Sequence, residues 1–382
     1  MRMARKKASA SKPKLSRKRA PAKDPQKDWE EKAYAAGARS VGWFWPKLAA
    51  GEPPSSVQWA RQLNLCWAEW FGKHRFNEIP QSTYPLACKR FIRGYCETAN
   101  IQIHNDLLLP TTKKVGCVIT AMNESVTLNS QLNELARLPF EEIIVVINGS
   151  SDDSYEVVRN HPCRATIVHF DAALGYDVGR AVGAKVSMSD ILLFLDADMS
   201  VGVDLLLPFI YEAEKGADLV LNPISPLLPP ADRRDMVSHV KQFLNICTGR
   251  KDLQVDSLTA VPHALTRRAI EHIGTSMLAV PPVAYARAIQ TRLTIARSPL
   301  PVNVIAMNRV RKEQNTGSGN QVEQLIIGDH LEALFVLMEQ ASPRLQFPDD
   351  MRQRHYIQGG RDSGYVEYKP DHSDIQQQGP SH

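Results

Sequence analysis

The chain has no apolar run approaching the roughly 18–20 residues that span a bilayer, and its first residues contain no signal-peptide-like apolar stretch. Its six cysteines form no C-x-x-C pair and no zinc-like spacing, so a zinc module or a thioredoxin-type redox site is excluded and the thiols read as reduced. No G-x-G-x-x-G follows an apolar segment, which removes the main support for a dinucleotide fold. No acid occurs in residues 1–23, where ten side chains are Lys or Arg, leaving 36 basic against 41 acidic residues elsewhere. The overall charge of +5 therefore belongs to the N-terminal stretch and is no argument that the body binds nucleic acid. No tryptophan occurs beyond Trp70. A cytoplasmic protein, with or without peripheral membrane contact, is the expectation.

Three textures remain between these absences. Residues 1–27 form a basic arm, too poor in apolar residues to fold alone, and suited to anionic lipid headgroups or nucleic acid, or to plain solvation. Residues 28–110 hold all six tryptophans. There Trp59, Leu63, Cys66, Trp67 and Trp70 recur at helical spacing, predicting a small helical module whose aromatic stripe packs on the next domain. From 111 to about 343 apolar segments alternate between strand and helix lengths: strands at 115–120, 143–147, 166–170, 191–195 and 218–221, with helices at 124–138 and 154–160. That alternation predicts an α/β domain with a mainly parallel sheet. Residues 344–382 are polar and expected to be disordered.

Polar residues collect where the strands end. Ile191 to Leu195 is a continuous apolar run of the kind buried on both faces in a parallel sheet. Asp196 and Asp198 follow it and, in an extended chain, point the same way about 6–7 Å apart. Left alone they repel by about 2–3 kcal/mol at an effective dielectric of 20. A cation between them is expected, and a divalent metal holding a diphosphate is the natural candidate at the carboxyl end of a strand. Two solvated loop aspartates are the plain alternative. Asn123 and Glu124 close the first strand, and Asn148 through Ser154 the second; Asp152 or Asp153 would cap the helix there.

The stretches VGCVITAMNES, EEIIVVINGSSDDS, LGYDVGRAVGAKVSMSDILLFLDADMS and, more loosely, SLTAVPHALTRRAIEHIG resemble the family-2 glycosyltransferases in kind and order over about 115–275. The resemblance implies a GT-A-type, Rossmann-like nucleotide-sugar-binding fold, preceded here by the helical module and the basic arm. It implies that Ala121, Asn123, Glu124 and Asp153 hold the nucleoside, and that Asp196 and Asp198 are the D-x-D motif, with Asp198 on a Mg²⁺ or Mn²⁺ ion. It places His263 and Arg267 on the acceptor side, with a structural histidine the plain alternative for His263. Two departures stand out. Ile147-Asn148 replaces the usual aspartate closing the second strand, and AVPPVAYARAIQ (279–290) lacks the acids that usually supply the catalytic base.

Gly175, Gly179 and Gly183 lie on one helical face and suit close approach to a neighbour or to the donor. Arg180 and Lys185 beside them are candidates for the diphosphate, or for covering the sheet with their stems. Residues 308–320 read as a polar flap over the site, and Leu325 to about Gln340 as a helix with Leu331, Leu334, Phe335 and Met338 on its apolar face. Asp329 near its start is the first choice for the missing base, with His330 beside it as a ligand for metal or diphosphate; Glu332 is second, and helix capping competes for these acids. The functional expectation is metal-assisted transfer from a nucleotide-diphosphate sugar to an unidentified acceptor, lipid- or phosphate-linked, as in cell-envelope polysaccharide assembly. A sugar-phosphate nucleotidyltransferase and a non-catalytic nucleotide-sugar-binding scaffold are the alternatives.

Overall fold

The computed structural model describes residues 25–43, 55–74, 83–307 and 320–352. Nearly all of the basic arm, the 308–319 part of the expected flap, and the tail from 353 lie outside them.

Seven strands form one sheet: β1 (Val115–Ala121), β2 (Glu142–Asn148), β3 (Thr166–Phe170), β4 (Ile191–Asp196), β5 (Leu219–Leu221), β6 (His263–Thr266) and β7 (Ile295–Arg297). Their order is β3-β2-β1-β4-β6-β5-β7. Every pairing is parallel except the two made by β6. This is the expected α/β architecture with a mainly parallel sheet. The antiparallel β6 lies in a stretch, 255–268, in which the patterning marks no strand and which the family resemblance assigns to the acceptor side. Four residues carry too little periodicity to signal a strand.

Side-chain alternation sorts the strands onto two faces. Cys117, Ile119, Val145, Ile147, Leu193 and Leu195 enter one core, with α4 (Ser125–Leu135) and α7 (Val203–Glu214). Val118, Ile144, Val146, Leu192 and Phe194 enter the other, with α6 (Val178–Val186), α9 (Arg267–Ile273) and α10 (Pro281–Gln290). The N-terminal helices α1 (Pro25–Ser40), α2 (Ser56–Gly72) and α3 (Tyr84–Ala99) join the first core. Trp67 and Phe91 are completely buried there, and Trp67 donates through Nε1 to the Tyr84 hydroxyl at 3.1 Å. The aromatic stripe thus packs inward, as its spacing predicts.

The parallel strands all end at one edge. Because β6 runs the other way, its first residue, His263, pairs with Phe194 near that edge, and its last, Thr266, with Ile191 at the opposite one. Helix α6 reaches the sheet because Gly179 and Gly183 have no side chain: a Cβ at either would overlap Thr120 or Val118. Their packing role explains the glycine spacing, and it carries Arg180 under the end of β4.

Beyond β7 come α11 (Val304–Met307) and α12 (Gln321–Gln340), the latter packed on α10 and on α8 (Met236–Cys247). Helix α12 starts four residues before the expected boundary, at an Asn320 cap that accepts from Val322 and Glu323. Asp329, His330 and Glu332 are therefore interior helix residues, and the capping alternative for them falls. Its buried face is His330, Ala333 and Leu337, with Leu334 partly buried against the same core; of the expected apolar face, Leu331, Phe335 and Met338 are exposed. Burial by α8 and α10, not hydropathy, selects the inward side.

Candidate active site at the carboxyl edge of the sheet

The first two strand-end loops are tied to each other by side chains bonding backbone. Asn123 Oδ1 accepts from Ser151 N at 2.8 Å, and Asn123 N donates to Ser150 Oγ at 3.0 Å. Glu124 N donates to Ser154 Oγ at 3.1 Å. Asp152 accepts from Ser125 N and Ser154 N, each at 3.0 Å, joining the starts of α4 and α5 (Ser154–Asn160). Asn123 adopts a left-handed backbone, φ 58°, which Asn tolerates better than most residues. Asp153 makes no side-chain capping bond and is exposed. Between the two candidate caps, Asp152 does the tying.

Asn148 fastens the third loop. It is buried, its amide donating to Gly175 O at 2.9 Å and its carbonyl oxygen accepting from Leu174 N. An aspartate could not make the first bond, so the amide follows from what it holds. Asn148 therefore spends both ends of its amide on the loop, at Leu174 and Gly175.

Asp196 is held on two sides. Thr120 Oγ1 donates to Oδ1 at 2.9 Å, and Arg180 Nη2 reaches Oδ1 and Oδ2 at 3.3 and 3.2 Å. Arg180 is 5% exposed and makes a second ion pair with Asp177 at 2.9 Å. Burial works against the guanidinium's charge, and Asp177, Asp196 and then Asp198 more than offset it. Part of the expected cation beside the carboxylates is thus supplied by the chain itself. Arg180 is tied to acids instead of being open to a diphosphate. Lys185 is exposed at the far end of α6 and is not brought to this edge.

Asp198 lies two residues beyond Asp196 and is half-buried. Its charge is felt at Glu124, whose carboxyl is pushed above its ordinary range first by burial and then by Asp198, Asp152 and Asp196. Four carboxylates therefore crowd the space above β1 and β4, with Arg180 beneath. Ala121 ends β1 and is buried, so only its backbone can meet a ligand.

Neither residue expected on the acceptor side is presented at this edge; for His263 the structural alternative holds. His263 is 2% exposed, with Nδ1 3.1 Å from Ala260 O and its ring stacked on Phe194. Burial, then Arg180, pull its pKa down to about 3. It is a neutral core residue beneath Asp196, not a surface contact. Arg267 donates to Ser187 O and Ser189 O at 2.8–3.0 Å, at the opposite end of β4, about 16 Å away along the strand. The antiparallel course of β6 puts it there.

Asp329 is half-buried, and its pKa is raised to about 6 by burial and by the charges of Asp177 and Glu332. Of these two acids, Asp177 is the one that also pairs with Arg180. His330 is 1% exposed, its Nδ1 2.6 Å from Ile326 O, and burial lowers its pKa to about 4. Nδ1 must donate in that contact, leaving Nε2 as a neutral, enclosed acceptor that no solvent-borne metal or diphosphate meets.

Sequence reasoning missed Asp177 and Thr120. The i, i+3 spacing of Asp177 and Arg180 was a usable signal; the approach of Thr120 to Asp196 arises only when β1 and β4 pair.

Residues 117–246 match the family model described as glycosyl transferase family 2. No curated protein matches the sequence significantly. Among solved structures, glucosyl-3-phosphoglycerate synthase from Mycobacterium tuberculosis in complex with Mn²⁺, uridine diphosphate and glucosyl-3-phosphoglycerate is 18% identical, over 62% of this chain and 82% of that one, with a TM-score of 0.43. Its complex with Mn²⁺, UDP-glucose and phosphoglyceric acid is 19% identical over the same shares, TM-score 0.43. A structure described as a mycobacterial protein is 17% identical over 62% of this chain and 76% of that one, TM-score 0.44.

Proposed function

We propose that the protein, whose residues 117–246 match the glycosyl transferase family 2 model, transfers a sugar from a nucleotide-diphosphate donor to an acceptor bound beyond β4, with the Asp196–Asp198 pair at the centre of the donor site. The observation that carries this is convergence: two interlocked loops, a third fastened by Asn148, and two strand-end carboxylates with their own buried cation meet on one sheet edge.

The donor set suits a hard cation. Asp198 is half-buried on the crowded side, and Asp196 is partly neutralised by Arg180. Among the described residues no three His, Cys, Asp or Glu side chains gather as a complete metal site, so phosphate oxygens of the donor would complete the coordination. Asp198, with Asp196 behind it, would hold Mg²⁺ or Mn²⁺, which supplies charge stabilisation for the leaving diphosphate.

The protein's own residues do the rest. Asn123, Glu124 and the backbone of Ala121 border the nucleoside. Asp152 and Asn148 fix the loops that carry those contacts, so little ordering remains to be done on binding. Arg180 orients Asp196 through two bonds while Thr120 fixes its Oδ1. Asp329 is the base we assign for an inverting transfer. It lies on the helix packed against α10, which lacks acids, and a raised pKa near 6 suits a group that must accept a proton near neutral pH. A nucleotidyltransferase would want a glycine-rich basic loop after β1, where this chain has Ala121-Met-Asn-Glu-Ser.

Calorimetric titration with UDP and UDP-sugars, with and without Mn²⁺ or Mg²⁺, tests the reading. Wild type should bind in a metal-dependent way, and Asp198→Asn should lose at least about 100-fold in metal-dependent affinity while melting within a few degrees of wild type. Equal affinity in the two proteins removes the metal role of Asp198.

A further inference from the structure

The other half of the same edge holds a buried carboxylate that donor binding does not use. Asp256, just upstream of β6, is 0% exposed. Its Oδ1 accepts from Ser225 N at 2.9 Å and from Ser225 Oγ at 2.7 Å. Its Oδ2 is enclosed, makes no hydrogen bond, and faces Arg297 Nη1 at 3.5 Å. Arg297 is the last residue of β7, and its side chain is 41% exposed. A wholly buried carboxylate is costly, and one loose ion pair is a poor return in stability alone.

What the pair achieves is placement. Three strand spacings separate β7 from β4, about 14 Å. The pair ties the Arg297 guanidinium to a carboxylate that Ser225 fixes, on the segment that follows β5. About 14 Å between the ends of β4 and β7 accommodates a donor sugar and a small acceptor. Asp256 meets one guanidinium nitrogen, so the remaining donors of the fork point elsewhere. The neighbouring arginine provides the contrast: Arg250 Nε and Nη2 grip both oxygens of Asp252 at 2.9 Å. Asp252 feels both arginines but is committed to Arg250.

We propose that Arg297, positioned by Asp256 and Ser225, binds an oxyanion on the acceptor, so that the substrate carries a phosphate or carboxylate at its non-reacting end. A planar fork held from behind by a carboxylate is suited to bidentate capture of such a group. This rests on the glycosyl-transfer reading and narrows it to anionic acceptors.

The test uses the full chain saturated with UDP and Mg²⁺, so that the diphosphate site is filled, with inorganic phosphate and acetate titrated separately by calorimetry. Wild type should bind at least one of them, and Arg297→Gln should weaken that binding at least tenfold. Because Arg297→Gln leaves Asp256 buried without a countercharge, Arg297→Gln with Asp256→Asn is measured in parallel and should show the same loss with a near-wild-type melting temperature. Absence of anion binding to wild type, or wild-type affinity in the double variant, overturns the proposal. Failure of UDP to bind would count against the transferase reading instead, and the phosphate titration without UDP still reports on Arg297.

Discussion

The two halves of the sheet edge are built on opposite plans. On the side of β3, β2, β1 and β4, loops are fastened by neutral side chains and carboxylates bonding backbone N–H groups. On the side of β6, β5 and β7, a single carboxylate with no exposed surface is held from within by Ser225 and faces one arginine. The first plan makes a rigid cradle with acids already concentrated in it. The second leaves a cation half-exposed over a fixed anchor. A site that must bind one substrate of known charge, and adapt to a second, gains from having its rigidity on one side and its adjustable group on the other.

The largest expected effect is on the chemical step. Asp329→Asn should lower turnover by a factor of about 10² or more with donor affinity nearly unchanged, since general-base catalysis contributes about 10²–10⁴. Near-wild-type turnover at saturating acceptor would move the base elsewhere or make the reaction retaining, which NMR of the product's anomeric configuration distinguishes.

Next come two substitutions that set the halves against each other. Asp152→Ala removes the acceptor of two backbone N–H groups and should cost about 1–3 kcal/mol of stability, together with a roughly tenfold loss in UDP affinity as the β1 and β2 loops separate. Ser225→Ala, on the other half, should cost a similar amount by leaving Asp256 short of a donor, with UDP affinity unchanged. Denaturant melts and UDP titrations of both variants decide. Equal loss of UDP affinity would mean that the edge behaves as one unit.

The smallest effect is a pH signature. Asp329 binds its proton more tightly in the folded chain, about 6 against an ordinary 3.8, so the folded state keeps a proton that the unfolded state has lost. Stability falls as pH rises from about 4 to about 6, and the penalty persists above that. Asp329→Asn should therefore melt a few degrees higher than wild type at pH 8, and near the wild-type temperature at pH 4. A gain of equal size at both pH values would remove the electrostatic cause.

Much of the β1–β4 half of the edge was legible because its signals are local. Continuous apolar runs such as Ile191–Leu195 mark strands buried on both faces, and the polar residues that follow fall at one edge because parallel strands must end there. The inward packing of Trp67 followed from three- and four-residue spacing. Glycines at 179 and 183 announced a close helix, though not that Val118 and Thr120 were what it approached.

What the sequence by itself determined is therefore the α/β alternation, the edge on which chemistry gathers, and the Asp196–Asp198 pair, since each depends on the order of residues within one short segment. Tertiary structure alone decided which way β6 runs, and with it that Arg267 leaves the site and His263 sinks beneath it. It also placed Asp329 in mid-helix beside Asp177, gave Asp196 its cation in Arg180, and joined Asp256 to Arg297 across 41 residues of chain. These depend on which strands pair and which helix faces are covered, and burial, which shifts charges and selects partners, is a property of the packed whole.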